Sequence, residues 1–257
     1  MRPVFLSSTV FLAATTLLSA TALAQRGGPP SPPPTPRAQA PFDITGYWVS
    51  IVSEDWRYRM TTPPKGDVTG VPLNGAGRQA ANAWDPAKDA AAGEGCKAYG
   101  AAGLMRMPGR LHVTWTGDDA LSIEADAGAQ RRTIAFRGPG GTAGSWQGVS
   151  VASWDRGESA MARGGFFPGA AARGGSLKVV TTGMKAGYLR RNGVPYSADA
   201  VMTEYFDRFD LPSGDALLVV STEVVDPTYL TTPFWTSTHF KRQADATGWF
   251  PRPCLAG

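Results

Sequence analysis

Cysteine and histidine are scarce in this chain, with two of each in 257 residues. That excludes multi-cysteine zinc modules, cysteine-ligated iron–sulfur clusters and any site that needs three histidines. Chemistry here has to rest on carboxylates, Tyr, Lys or Arg around at most two imidazoles. Beyond residue 24 no apolar run approaches the roughly 18 residues of a membrane span, so none is expected. Charge of one sign is lacking too. The formal charge of +4 falls by one if Arg2 is set aside and by two more with Arg26 and Arg37, leaving about +1 on the remainder. A nearly neutral folded part argues against a nucleic-acid partner, which needs a concentrated basic face. There is no G-x-S-x-G elbow and no Walker loop, and the glycines lack the strand-to-helix setting of a dinucleotide fold, so no cofactor is expected. What is abundant is glycine (31) and proline (21), which argues against a helical bundle.

Residues 1–24 read as a secretory signal peptide. Arg2 supplies the positive start, an apolar middle follows, and Ala22-Leu23-Ala24 forms an A-x-A cleavage site before Gln25. The expected product is soluble and exported, periplasmic or secreted. Residues 25–41 hold seven of the 21 prolines and nothing apolar enough to bury, which predicts a stiff, polyproline-like linker. Residues 42–257 are then a single domain. In an exported chain the even pair Cys96 and Cys254 predicts a disulfide, worth roughly 3–5 kcal/mol in the chain-entropy model, with two free thiols as the alternative.

From residue 42 onward the pattern is one of strands. Alternation starts over residues 44–58 and, after an insertion or lid at 63–108, resumes as a meander at 110–116, 121–125 and 130–136 with Gly- and Asp-containing turns. The insertion carries one short helix at 75–84, capped by Asn74 and stopped before Asp85-Pro86. Further strands are expected at 145–154, 177–183, 200–209, 217–225 and 233–242, with a hairpin at 188–196 turned on Asn192-Gly193 and a long Gly-, Ala- and Arg-rich loop at 155–175. About eight to nine strands with short connections predict an all-β, antiparallel barrel that removes its own edges. A β-sandwich is the other arrangement that this pattern allows.

Gly46-Tyr47-Trp48 stands at the start of that first strand. This G-x-W resembles the lipocalin or wider calycin superfamily, in which the Trp plugs the closed end of an up-and-down barrel and packs against an Arg or Lys at the end of the last strand. Arg242, or Lys241 beside it, occupies that place in the chain. The resemblance implies a lipocalin-like β-barrel with a cavity, open at one end, for a small and mostly apolar molecule. Gly46, Trp48 and Arg242 would be structural residues, as would Cys96 and Cys254 through their disulfide.

Candidate chemistry is sparse. His112 alternates with Leu111, Val113 and Trp115, and His239 shares a face with Trp235, Ser237 and Lys241. Each imidazole lies either on a solvated outer wall or in a polar row inside a cavity, where it could act as acid or base. Glu204, flanked by Met202 and Phe206 on its own face, is the carboxylate best suited to join them; if inward, it stands among apolar groups, and if outward, it is a surface glutamate. A metal site from the two histidines and an acid lacks supporting spacing. The run Glu54-Asp55-Trp56-Arg57-Tyr58-Arg59 either forms a ligand-recognising rim or a self-compensating strand end. Tyr188, Arg190, Arg191 and Tyr196 invite the same two readings, with a solvated hairpin tip favoured. Trp56, Arg57, Tyr58, Trp115 and Trp235 are thus the expected ligand-binding set, and His112, His239 and Glu204 the expected catalytic set. The leading expectation is a carrier of a small, partly apolar molecule in the barrel cavity. The alternatives are a cofactor-independent lyase, isomerase or hydrolase, and a surface module that binds another protein.

Overall fold

A computed structural model of the chain describes residues 32–155 and 175–255. The expected signal peptide, the first part of the linker and all but the ends of the long loop at 155–175 lie outside the described residues. Twelve strands follow in order: β1 Gly46–Ile51, β2 Arg110–Thr116, β3 Ala120–Ala125, β4 Gln130–Ala135, β5 Gly140–Gly141, β6 Val149–Asp155, β7 Ser176–Thr182, β8 Gly187–Arg190, β9 Val194–Tyr196, β10 Val201–Asp210, β11 Ala216–Val225 and β12 Phe234–Gln243. Nine of them close into a barrel in the order β4-β3-β2-β1-β12-β11-β10-β7-β6. The fold class is therefore the expected all-β barrel.

One seam differs from expectation. β4 and β6 pair in parallel, Ile134 with Ser150 and Ala135 with Val151, so the barrel is mixed rather than wholly antiparallel. The reason is local: β5 turns back onto β6, and this extra reversal leaves β6 running in the direction of β4. The first strand is also shorter than its alternation suggests. Asp55 takes a left-handed backbone (φ 50°), and the four-residue helix α1, Trp56–Arg59, follows instead of more strand.

Period-two alternation sets the core. Trp48, Val113, Ile123, Ile134, Val179, Phe206, Leu218 and Phe240 all face inward, each at most 1% exposed, in one apolar cluster. A fully buried side chain of this size contributes about 1.5–3 kcal/mol. The Arg242 guanidinium lies 5.3 Å over the Trp48 ring, and the indole Nε1 donates to the Ile44 carbonyl at 2.9 Å. Gly46 is needed beside them. Its φ is +108°, and a Cβ there would stand 2.8 Å from Arg242 Nη2.

The insertion caps the other end of the barrel. Helices α2 Gly75–Ala83 and α4 Ala101–Leu104, with the β8–β9 hairpin, pack a second apolar cluster that reaches Met202, Val224 and Phe234 on the barrel strands, while α3 Pro86–Ala91 lies beside them and buries only Asp89. The Asn74 side chain accepts from Gly77 N at 2.9 Å and so starts α2 where the sequence predicts. Cys96 and Cys254 form the expected disulfide, with Cα atoms 5.1 Å apart, and staple the C-terminal segment to this cap.

The second half of the expected linker is not a free spacer. Arg37 N donates to Asp118 O, and Trp154 Nε1 donates to Pro36 O at 2.8 Å, so this segment is tied to the end opposite the insertion. Phe42, Trp115, Phe136 and Trp154 form an aromatic cluster there. Among the described residues no helix is long and apolar enough to cross a membrane.

Candidate functional site

The wall of the barrel divides the expected catalytic set. His112 and His239 both face outward, one on each side of β1, opposite Tyr47 and Ile51. Strand spacing and rise separate them by roughly 16 Å. His112 stacks on Tyr47 with ring centres 4.1 Å apart, and its Nδ1 bonds Glu124 Oε2 at 3.1 Å. Glu124 in turn accepts from Arg131, a hydrogen bond that holds its carboxyl below the usual range. His239 Nδ1 lies 3.3 Å from Glu54 Oε2, and its Nε2 shares a hydrogen bond with Ser237. Two outward imidazoles on separate strands cannot act on one substrate atom with an inward carboxylate.

Glu204 does face inward, but not alone. Its two oxygens accept from Arg132 Nη1 and Nη2 at 3.1 and 2.7 Å, and neither side chain has any exposed surface. Arg132 Nη2 also reaches Thr181 Oγ1 at 3.2 Å and Ser150 Oγ at 3.4 Å, and those two hydroxyls bond each other. These groups form a polar belt between the two apolar clusters, since Glu204 has Phe206 of one cluster and Met202 of the other on its own face. Bidentate pairing occupies both carboxylate oxygens, so Glu204 braces the interior instead of presenting an acid to a cavity.

The expected ligand-binding aromatics are dispersed as well. Trp115 belongs to the end opposite the insertion, beside a hollow of about 520 Å³ bordered by Phe42 and Arg37. Trp235 stands 55% exposed on the outer wall across from Glu223. Trp56 is exposed on α1, and Arg57 lies 3.6 Å from Asp67, while Tyr58 lies beneath the Arg190 guanidinium.

The structure instead gathers aromatic and charged groups between the cap and the hairpin. A proline at the first helical position and the Asp85 side chain, which accepts from Ala87 N and Lys88 N, start α3 immediately after α2. This turn carries Asp89 against the hairpin, where it accepts from Tyr188 Oη at 2.7 Å and from Lys97 Nζ at 2.6 Å. Lys97 also reaches Glu94 at 2.5 Å, and Glu94 is shared with Lys185 at 3.1 Å. Trp84 lies against the Asn192-Gly193 turn so closely that a Cβ on Gly193, already at φ +80°, would be 2.1 Å from the indole. The resulting cleft of about 370 Å³ is walled by Trp84, Tyr188, Tyr196 and Tyr229, with Asp89 and Lys97 as its fixed polar edge.

Titration in this cleft is displaced from neutrality. Burial, then the hydrogen bond to Asp89, pushes the Tyr188 phenol well up. Burial alone raises Tyr196, whose buried hydroxyl has no partner among the described residues and sits against Gly100 and Gly187. For Lys97 burial acts downward, but the hydrogen bonds to Asp89 and Glu94 outweigh it and raise the ammonium. All three groups stay protonated near neutral pH.

Comparison with protein-family models, curated proteins and solved structures finds no match to this chain. The functional reading therefore rests on the cleft itself. Sequence reasoning singled out Tyr188 and Tyr196 but missed Trp84, Asp89 and Lys97. The signal for them was Asp85-Pro86, which stops one helix and equally caps a second.

Proposed function

We propose that this protein is an exported, lipocalin-like barrel that binds a small, partly apolar molecule, and that the ligand sits in the cleft between the helical cap and the β8–β9 hairpin. The observation that carries this reading is the pairing of aromatic walls, Trp84, Tyr188 and Tyr229, with a hydrogen-bonded polar edge at Asp89 and Lys97. Ligand sites are mostly apolar concavities of about 300–1,000 Å³ with few, well-placed polar groups. The Trp48–Arg242 contact supports the lipocalin likeness, and the disulfide is consistent with an oxidising compartment.

Binding is favoured over catalysis by the protonation of the site. A general acid or base works best with a pKa near the operating pH. Tyr188 and Lys97 are both pushed up and away from it, which suits hydrogen bonding to a bound molecule.

Mass spectrometry of small molecules retained by the purified protein tests the reading. A retained ligand is expected for wild type and for a His112→Ala, His239→Ala double variant, while Trp84→Ala, which loses an aromatic wall worth about 1 kcal/mol beyond its area, weakens retention by roughly tenfold or more. Tyr229→Ala provides the same test without touching the Gly193 turn. Retention unchanged in both aromatic variants would refute the cleft as the seat, and conversion of the ligand by wild type alone would point to an enzyme.

A further inference from the structure

Four arginines gather beside α1 and the hairpin, and three of them are buried. Arg59 ends α1 at 2% exposed, Arg106 follows α4 at 6%, and Arg190 ends β8 at 5%. Arg191, next in the chain, donates Nη2 to the Arg59 carbonyl at 2.7 Å, which fixes the hairpin against α1. The hairpin tip is thus packed rather than solvated, contrary to the favoured sequence reading.

Carboxylates answer only part of this charge. Glu54 accepts from Arg59 Nη1 and also faces His239, and Asp55 accepts from Arg106 Nη2 at 2.9 Å. Among the described residues no carboxylate forms an ion pair with Arg190; its Nη1 donates to the Thr69 carbonyl at 2.8 Å, and its guanidinium lies 4.1 Å over the Tyr58 ring. Among the described residues three donors of this group are buried without an acceptor: Nη2 of Arg59, Nη1 of Arg106 and Nε of Arg190. Unmatched donors on buried charged groups are costly, and native structures seldom leave several together. Burial first, and then the charge of Arg106, lower the Arg190 guanidinium against the opposing pull of Asp55 and Asp67, and burial lowers Arg59 against that of Glu54. An acceptor carrying negative charge would satisfy a free donor and relieve the repulsion between guanidinium groups. Planar guanidinium forks match oxyanions in this way.

We propose that Arg59, Arg106 and Arg190 form a site for a small oxyanion, either free phosphate or sulfate or the phosphate or carboxylate end of a larger molecule. The site is built from residues other than those that line the aromatic cleft, so it stands or falls independently of that reading.

Isothermal titration of the purified protein with inorganic phosphate, in a low-salt Tris-chloride buffer, tests the proposal. One saturable site is expected for phosphate, with none for sodium chloride at matched ionic strength. Arg190→Gln and Arg106→Gln each weaken phosphate binding by roughly tenfold or more, since each removes a charge-assisted donor. Arg190→Lys keeps the charge but loses the fork and falls between. Arg131→Gln, on the outer wall, leaves phosphate binding unchanged. Circular dichroism establishes that each variant is folded; if Arg106→Gln is not, the Arg190 pair carries the test. Tighter binding of phenyl phosphate than of phosphate identifies the larger-molecule source, and equal binding the free anion. The absence of a saturable site in wild type, or an equal loss in Arg131→Gln, would overturn the proposal.

Discussion

Removing Arg132 is the sharpest test of how the barrel interior is organised. In wild type both Glu204 oxygens are satisfied by this one guanidinium, and neither partner has exposed surface. Arg132→Met would leave a buried carboxylate with no donor, and it would also take a partner from Thr181 and Ser150. Breaking a buried ion pair from one side costs about 3–5 kcal/mol. In a folded unit of this size each kcal/mol shifts the melting temperature by about 2–4 °C, so a drop of about 6–20 °C is expected. The double variant Arg132→Met, Glu204→Leu removes both charges and keeps the volume, and it should lie within about 1–2 kcal/mol of wild type, because apolar replacement of a buried pair is often neutral. Urea denaturation of wild type, both single variants and the double variant measures this, with unchanged m-values as the sign that only stability has moved. The expected cycle is strongly non-additive. If the singles cost less than about 1 kcal/mol, or if the double costs their sum, the carboxylate is not held by Arg132 in the way described.

Two other outcomes follow from the cap and the outer wall. The Cys96–Cys254 bridge spans 158 positions, for which the chain-entropy relation gives about 5 kcal/mol, so Cys96→Ser with Cys254→Ser should lower the unfolding free energy from urea denaturation by most of that amount; a loss below about 1 kcal/mol would show that the cap holds the C-terminal segment without it. Acid sensitivity should reside partly in Glu124, whose carboxyl is lowered chiefly by Arg131. Its contribution is complete above the unfolded carboxylate value of about 4.3 and is lost as pH falls through the lower folded value. Melting temperatures of Glu124→Gln should accordingly fall less steeply than wild type below about pH 4.5, and parallel acid limbs would refute the assignment.

Much of the barrel was legible because alternation and turn residues are local signals. The strands at 110–116, 121–125 and 130–136 are found within a residue of expectation, and Asn74 marks the start of α2. The parallel β4–β6 seam was not legible, since closure depends on which distant edges meet. The first strand was overextended because alternating charges and aromatics at 54–59 mimic a strand, and only the left-handed turn at Asp55 breaks it. For the histidines the information was present. Leu111, Val113 and Trp115 already made up the apolar face, which put His112 outside. Arg132 could have been found in the same way. It shares parity with Ile134, whereas Arg131 does not, so of two adjacent arginines only one faces inward. The Arg59–Arg106–Arg190 grouping joins three segments distant in sequence, and no spacing rule brings them together.

The pairing of β1 with β12 has a consequence for a chain that is still being made. Five residues of β1, Tyr47 to Ile51, find their partners at positions 243 back to 239, and Cys96 waits for Cys254. Until those last residues emerge, the early strands can assemble only as an open sheet with a bare edge and a reactive thiol. Such edges invite pairing with other chains and attack by proteases. A chain cut before residue 239 would keep that edge bare, and one cut before Cys254 would keep the thiol unpaired. Ring closure and stapling thus depend on different lengths of emerged chain.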